Sequence, residues 1–329
     1  MTGRTADARA AVPLVEVVRS GLVESVHRGH VVVLGPAGSV RTARGDVDAT
    51  MFPRSGNKPL QAVGLLRAGF TATERQLALA AASHSGEPVQ VAVVRSILAD
   101  GGVDEGELHC PSDLPLDDAA RRAVLASGGA PRPILMNCSG KHAAMLSTCA
   151  GRGWSRPDYL DPSHPVQLEL ARTVSELAGQ NIGAVGVDGC GAPVYALSLT
   201  GLARAFLRLA DAADGPEHAV ATAMRAHPDL VGGTGRTVTR LLAGVEGLVA
   251  KDGAEGVWAA ALPGIGAVAV KIDDGAMRAA DRVVVAGLRG LVAPAGPDAA
   301  AAVLDAFAVE PVLGGGRPVG VVRMIPGAL

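Results

Sequence analysis

A serine and a lysine stand three residues apart in Met51-Phe52-Pro53-Arg54-Ser55-Gly56-Asn57-Lys58-Pro59-Leu60-Gln61. A serine hydroxyl is a weak nucleophile until a base takes its proton, and a neutral lysine amine can be that base. Positions i and i+3 share a helix face, so Lys58 Nζ can reach Ser55 Oγ where a helix begins. Pro59 marks such a beginning, because proline has no N–H and is tolerated in a first turn. Ser55 is then expected at or just before the N-cap, where the positive helix end favours a developing oxyanion. Ser-x-x-Lys by itself is common and usually a surface pair, so its weight depends on the rest of the chain.

Further candidates follow in order. Thr73-Glu74-Arg75-Gln76 is a capping-box pattern that opens an apolar helix running into Ser83-His84-Ser85-Gly86-Glu87. Lys251 and Lys271 sit at the ends of apolar strand runs, where a lysine either points to solvent or is buried for a reason. Gly253, two residues beyond Lys251, is a place where another backbone or a ligand can come close. A Ser-x-x-Lys at a helix start, a second serine at a helix end and a late Lys-x-Gly follow the plan of penicillin-recognising serine acylases. The middle element lacks those enzymes' usual neighbours. The cysteines form a second constellation: Cys138 and Cys190 lie in glycine-containing turns, where a thiolate could bind Zn²⁺ or attack a substrate. His84 and His142 are the natural further ligands, although the spacing is no zinc-finger pattern. Cys110 and Cys149 read as inert, and His27 and His30 as strand-surface residues.

The elements that must hold these groups are strands at both ends and helices between. β-rich runs divided by glycine span 14–34, a return strand follows Pro36-Ala37-Gly38, and strands are expected again at 247–251, 256–261, 266–272 and near 319–323. Helices are expected between, and later at 276–291 and 297–308. The fold class is therefore α+β, one mainly antiparallel sheet built from the two termini with a helical region carrying the serine motifs. Residues 1–12 read as a flexible N-terminus and 13–329 as one domain. The 329 residues are 48% hydrophobic but only 2% aromatic, with a net charge of -2. That composition lacks the basic footprint and stacking rings of nucleic-acid binding. No run reads as a signal peptide or membrane span, so a cytoplasmic protein is expected, its four cysteines free or metal-bound.

Taken together, Phe52–Gln61, Ser83–Glu87, Met136-Asn137-Cys138-Ser139-Gly140-Lys141-His142, Asp188-Gly189-Cys190-Gly191-Ala192-Pro193 and Lys251-Asp252-Gly253-Ala254-Glu255-Gly256 resemble the Rhizobium etli-type, or class 3, L-asparaginases. The resemblance runs from about residue 13 to the C-terminus. It implies hydrolysis of L-asparagine to L-aspartate and ammonia, a fold similar to serine β-lactamases and glutaminases, and a homodimer. It implies the serine–lysine pairs Ser55–Lys58 and Ser83–Lys251, with Lys271 the fallback for the last place. It also implies a labile Zn²⁺, not strictly required, on Cys138, Lys141 and Cys190, with Asp188 close by. Arg54 and Asp188 are the expected partners of the substrate's α-carboxylate and α-amino groups. The competing readings are a glutaminase or β-lactam/peptide acylase on the same scaffold, and a zinc- or ligand-binding module with a dead site.

Overall fold

Val-rich segments pair into the N-terminal hairpin of β1 (Val12–Arg19) and β2 (Leu22–Leu34), whose second half is buried throughout, with β3 (Val40–Arg44) folded back on β2. The computed structural model describes residues 10–293 and 299–329. The helical middle comprises α1 (Lys58–Arg67), α2 (Glu74–Ala80), α3 (Pro88–Asp100), α4 (Asp118–Ala126), α5 (Ser139–Arg152) and α6 (Pro165–Ala178). The small hairpin β4 (Val185–Val187) and β5 (Pro193–Tyr195) follows, then α7 (Leu199–Asp211), α8 (Gly215–Ala226), α9 (Pro228–Val231) and α10 (Thr237–Gly244). The chain then returns to the sheet through β6 (Val249–Gly253), β7 (Val257–Leu262) and β8 (Gly266–Ile272). It ends with α11 (Met277–Val292), α12 (Ala299–Asp305), β9 (Val309–Gly314) and β10 (Arg317–Met324).

The main sheet has the order β6-β7-β8-β2-β1-β10-β9, every pairing antiparallel, so strands from both termini meet at β2–β8 and β1–β10. The α+β class holds. Every residue of β7 is buried, and successive side chains of a strand point to opposite faces, so helices cover both sides there. α7 and α11 both pack on β7 and β8. The remaining helices form a second layer in which α1 lies against α6 and α8, and α2 against α3, α5 and α8. A single apolar cluster joins the two layers. Among the described residues no helix is long and apolar enough to cross a membrane.

Several expectations are corrected. Gly29 does not divide a strand. Its α-carbon passes so close to β8 that a Cβ would lie 2.3 Å from the Lys271 carbonyl oxygen, and the missing side chain lets β2 run through. Strand β9 was not expected, because Pro311 breaks its pattern; it lies at the sheet edge, where a missing N–H is tolerated. His27 and His30 are buried rather than on the strand surface. His27 Nδ1 meets Asp274 Oδ2 at 2.6 Å, and His30 Nδ1 accepts from the Asp46 amide at 2.8 Å. Of the N-terminal segment read as flexible, residues 1–9 lie outside the described residues, and Val12 already belongs to β1. Residues 294–298, which include the expected start of the last helix, also lie outside them.

Candidate active site

Ser55 sits in a 3₁₀ turn, Arg54–Asn57, and not at the N-cap of α1, which is Asn57. The turn is tight at both ends. Arg54 has φ +50°, a left-handed conformation costly for a residue with a Cβ and found mostly where the surroundings impose it. On the other side β6 presses against it, because a Cβ on Gly253 would lie 2.7 Å from the Pro53 carbonyl oxygen and 2.9 Å from the Gly56 amide. The Lys-x-Gly of the sequence is thus the point where β6 reaches the serine turn. Pro59 follows at the second position of α1, where its missing N–H breaks no intrahelical bond.

Lys58, fully buried, crosses to the end of α2, donating to the Ala82 carbonyl at 2.8 Å and meeting Ser83 Oγ at 3.0 Å. The serine that the structure joins to Lys58 by a hydrogen bond is therefore Ser83. Lys251, also fully buried, donates to the backbone carbonyl of Asp252 at 2.7 Å and pairs with Asp252 Oδ1. Burial is the main force that brings its pKa down to about 8; Asp252 opposes this, and the charges of Arg236 and Lys58 assist it. Burial alone would raise the Asp252 pKa, but Lys251 and Arg236 hold it well below the usual carboxylate range. Lys271 is elsewhere: on β8 opposite His30, its Nζ donates to the carbonyls of Glu255 and Ile272.

Ser55, Ser83, Asn137, Arg236, Asp252 and Gly253 line one cavity of about 200 Å³. Of these, Arg236 was not singled out from the sequence, and Asn137 and Asp252 entered only as members of quoted motifs. A signal existed for Arg236: it occupies the N-cap of α10 without a capping side-chain bond, a place that normally favours Ser, Thr, Asp or Asn. Its loop is built onto the Ser83–Glu87 segment. The Ser83 amide donates to the Val231 carbonyl at 3.2 Å, Ser85 Oγ to the Gly232 carbonyl at 2.9 Å, and Thr234 Oγ1 to Glu87 Oε2 at 3.0 Å. Ser85 is thus a fastening for that loop. His84 is another fixture, with Nδ1 accepting from the Gly86 amide at 3.1 Å and Nε2 facing Ser139 Oγ at 2.8 Å. Burial, with the charges of Lys58 and Arg236, pushes its pKa down to about 3. Arg54 and Asp188 pair with each other at 2.8 Å, tying the cysteine turn to the serine turn, and neither lines the cavity.

Behind Asn137 lies the sulfur cluster. Lys141 Nζ donates to Cys190 Sγ at 3.3 Å, the Cys138 thiol meets Asn137 Oδ1 at 3.1 Å, and Asp188 Oδ2 stands 4.0 Å from Cys190 Sγ. The hydrogen bond from Cys138 and the charge of Lys141 outweigh burial and hold Cys190 far below the usual thiol range. That same bond, then burial, raises Cys138. Burial opposes the charge of Lys141, but the two cysteines and Asp188 keep it above the ordinary lysine value. His142 Nδ1 meets the Tyr159 hydroxyl at 2.7 Å, while its buried Nε2 has no hydrogen-bond partner among the described residues. Among those residues no three His, Cys, Asp or Glu side chains group as a metal seat; the third donor beside the two thiols is a lysine. Cys110 and Cys149 are set apart by burial, which pushes their thiols up to about 12 and about 11.

Two serines lining one small cavity, with buried Lys58 bonded to Ser83 and buried Lys251 to Asp252 in its wall, on a sheet built from both termini, define the class of site. The family described as L-asparaginase II matches residues 15–324, and the chain belongs to that family. No curated protein matches the sequence. Among solved structures the chain is similar to Mglu in its glutamate form, with 19% identity, a TM-score of 0.46, and 80% of this chain and 59% of that chain covered. It is similar also to Mglu in its tris and glutamate form, at 17% identity and a TM-score of 0.43, covering 87% of this chain and 61% of that one. The chain thus spans about three fifths of the length of those proteins. A β-lactamase from Mycobacterium bovis is similar at 15% identity and a TM-score of 0.38, covering 81% of this chain and 94% of that chain.

Proposed function

We propose that the chain is an L-asparaginase that hydrolyses the side-chain amide of L-asparagine through an acyl-enzyme on Ser55. Family membership supports the reaction class. The observation that carries the mechanism is the hydrogen-bonded run from Lys58 to Ser83 at the wall that Ser55 shares. A neutral amine has two N–H groups and one lone pair. Donation to Ala82 O and Ser83 Oγ uses the two N–H groups, leaving the lone pair for the Ser55 proton.

Ser55 Oγ attacks the amide carbon as Lys58 takes its proton. Backbone N–H groups at the start of α1 favour the oxyanion. The C–N bond then breaks, and the proton passes through Ser83 to the departing nitrogen, which leaves as ammonia. Water attacks the ester, giving L-aspartate and restoring the Ser55 hydroxyl. Lys251, with a pKa of about 8, supplies a second amine whose charge is readily lost. The cavity of about 200 Å³ is small beside the ~300–1,000 Å³ of drug-sized ligand sites, which favours a compact amide over a β-lactam or peptide.

A Zn²⁺ is part of this reading. Cys138, Cys190 and, after losing a proton, Lys141 would hold it, and two sulfurs with one nitrogen are donors that zinc accepts. When bound it would act as a Lewis acid, its charge balanced by the two thiolates, and would tie the Cys138 turn to the Cys190 turn.

The test is ammonia release from L-asparagine and L-glutamine, beside a chromogenic β-lactam, with and without added Zn²⁺. Ser55→Ala should lower L-asparagine turnover by at least the ~10²–10⁴-fold typical of acid–base groups, with the folded structure intact. Activity retained within about tenfold would remove Ser55 from the role.

A further inference from the structure

We propose that Arg236 and Asp252 form the clamp for the α-carboxylate and α-ammonium of a free amino acid, so that the site takes zwitterionic amino-acid amides. This rests on the amide-hydrolysing reading of the same cavity. Both side chains line the space shared by Ser55 and Ser83. Together they present one guanidinium and one carboxylate to a cavity of about 200 Å³, the charge pattern complementary to a zwitterion.

Arg236 is held for such a task. Its Nη1 donates to the Ser83 and Gly232 carbonyls and its Nη2 to Asp252 Oδ2. A guanidinium carries five N–H donors in a fixed fork. None of the hydrogen bonds among the described residues uses Arg236 Nε, and the side chain is 29% exposed, so donors remain for a ligand. The pinned 232–236 loop limits its movement, and Arg suits bidentate recognition of a carboxylate. Asp252 accepts from Lys251 through Oδ1 and from Arg236 through Oδ2. Two carboxylate oxygens offer about four lone-pair sites, so an α-ammonium can be added. Arg54 and Asp188 would provide the same pair of charges, but neither side chain lines the cavity. Their role is to set the Ser55 turn against the Asp188–Cys190 turn.

The clamp is tested by ratios of kcat/KM. L-Asparagine is compared with 3-aminopropanamide, which lacks the α-carboxylate, and with succinamic acid, which lacks the α-ammonium. Arg236→Gln should lower the ratio of L-asparagine to 3-aminopropanamide by on the order of 10–100-fold, the worth of a hydrogen bond to a charged group. Asp252→Asn should do the same to the ratio against succinamic acid, and Arg236→Lys should recover part of the first loss. Ratios unchanged within about threefold would assign both residues a purely structural role and overturn the clamp.

Calorimetric titration of L-aspartate into Ser55→Ala protein, with and without Arg236→Gln, reads the clamp apart from turnover. Affinity lost with Arg236→Gln supports it. Equal affinity, or no binding of L-aspartate to either protein, overturns it. Absence of ammonia release by the wild-type protein would instead remove the asparaginase reading, leaving the titration to judge the clamp.

Discussion

Lys251→Met tests whether the buried lysine is held near the point of losing its charge. The Lys251 side chain is completely buried, and desolvation brings its pKa from 10.5 down to about 8 in the folded protein. In the unfolded chain the amine returns to water and the ordinary value. Below about pH 8 both states carry the proton, and the folded state bears the full cost of the buried charge. Between about 8 and 10.5 the unfolded chain binds more protons than the folded one, so stability rises with pH. At about 1.4 kcal/mol per pH unit, that interval is worth about 3 kcal/mol. Urea unfolding of wild type and variant, followed by tryptophan fluorescence from pH 7 to 10.5, measures it. Asp252 keeps Arg236 as partner in the variant, and all other titrating groups are common to both proteins, so they drop out of the difference. The expected outcome is a wild-type stability, relative to the variant, that is flat below about pH 8 and then climbs by about 3 kcal/mol towards pH 10.5. A flat difference, or one that falls with pH, would refute the desolvation argument. Turnover that uses the uncharged Lys251 should likewise rise through about pH 8 in the wild type.

Two further outcomes follow from the packing around the site. Gly253→Ala places a Cβ 2.7 Å from the Pro53 carbonyl oxygen and 2.9 Å from the Gly56 amide, both backbone atoms that cannot swing away. Stability should fall by ~1–3 kcal/mol, and kcat by on the order of 100-fold through displacement of Ser55 by about 1 Å; unchanged kcat would mean that β6 does not set the serine turn. In the sulfur cluster, Zn²⁺ titrated into reduced protein under calorimetry should bind at one site and release protons, as lysine and thiol donors must lose theirs. Cys138→Ser and Cys190→Ser should each weaken binding at least about tenfold, and equal affinity in all three proteins would place the metal elsewhere.

Ser55 and Ser83, which line the cavity, were legible as candidates, and which groups bond to the cavity lining was not. Ser83 and Lys251 stand out because each ends an apolar run that marks burial, whereas Ser55, half-buried, stands out by its three-residue spacing from Lys58 ahead of Pro59. The sheet was legible for a related reason: β-branched runs at both ends can bury their faces only by pairing with each other. Strand β9 escaped because Pro311 is informative only once the strand is known to lie at an edge. Arg236 escaped because a glycine-rich loop shows its purpose only when the bonds that fasten it to Ser83–Glu87 are in place, across about 150 residues of chain.

Lys58 shows where the limit lies. Helical spacing establishes that its amine can reach Ser55, since residues three apart share a face. Spacing says nothing of what else lies within reach of four flexible methylenes, and the end of α2 brings the Ala82 carbonyl and Ser83 Oγ there. Packing of α1 against α2 therefore hands Lys58 to Ser83, while Lys251 bonds Asp252, and Ser55, Ser83 and Asp252 face one cavity. In such a set a single amine can take a proton from one hydroxyl and return it through the other, which is what the two halves of an amide hydrolysis require. Lys251 is then a second amine whose charge burial makes easy to lose, and because it bonds Asp252, which Arg236 also holds, the chemistry and the recognition of substrate meet at that carboxylate.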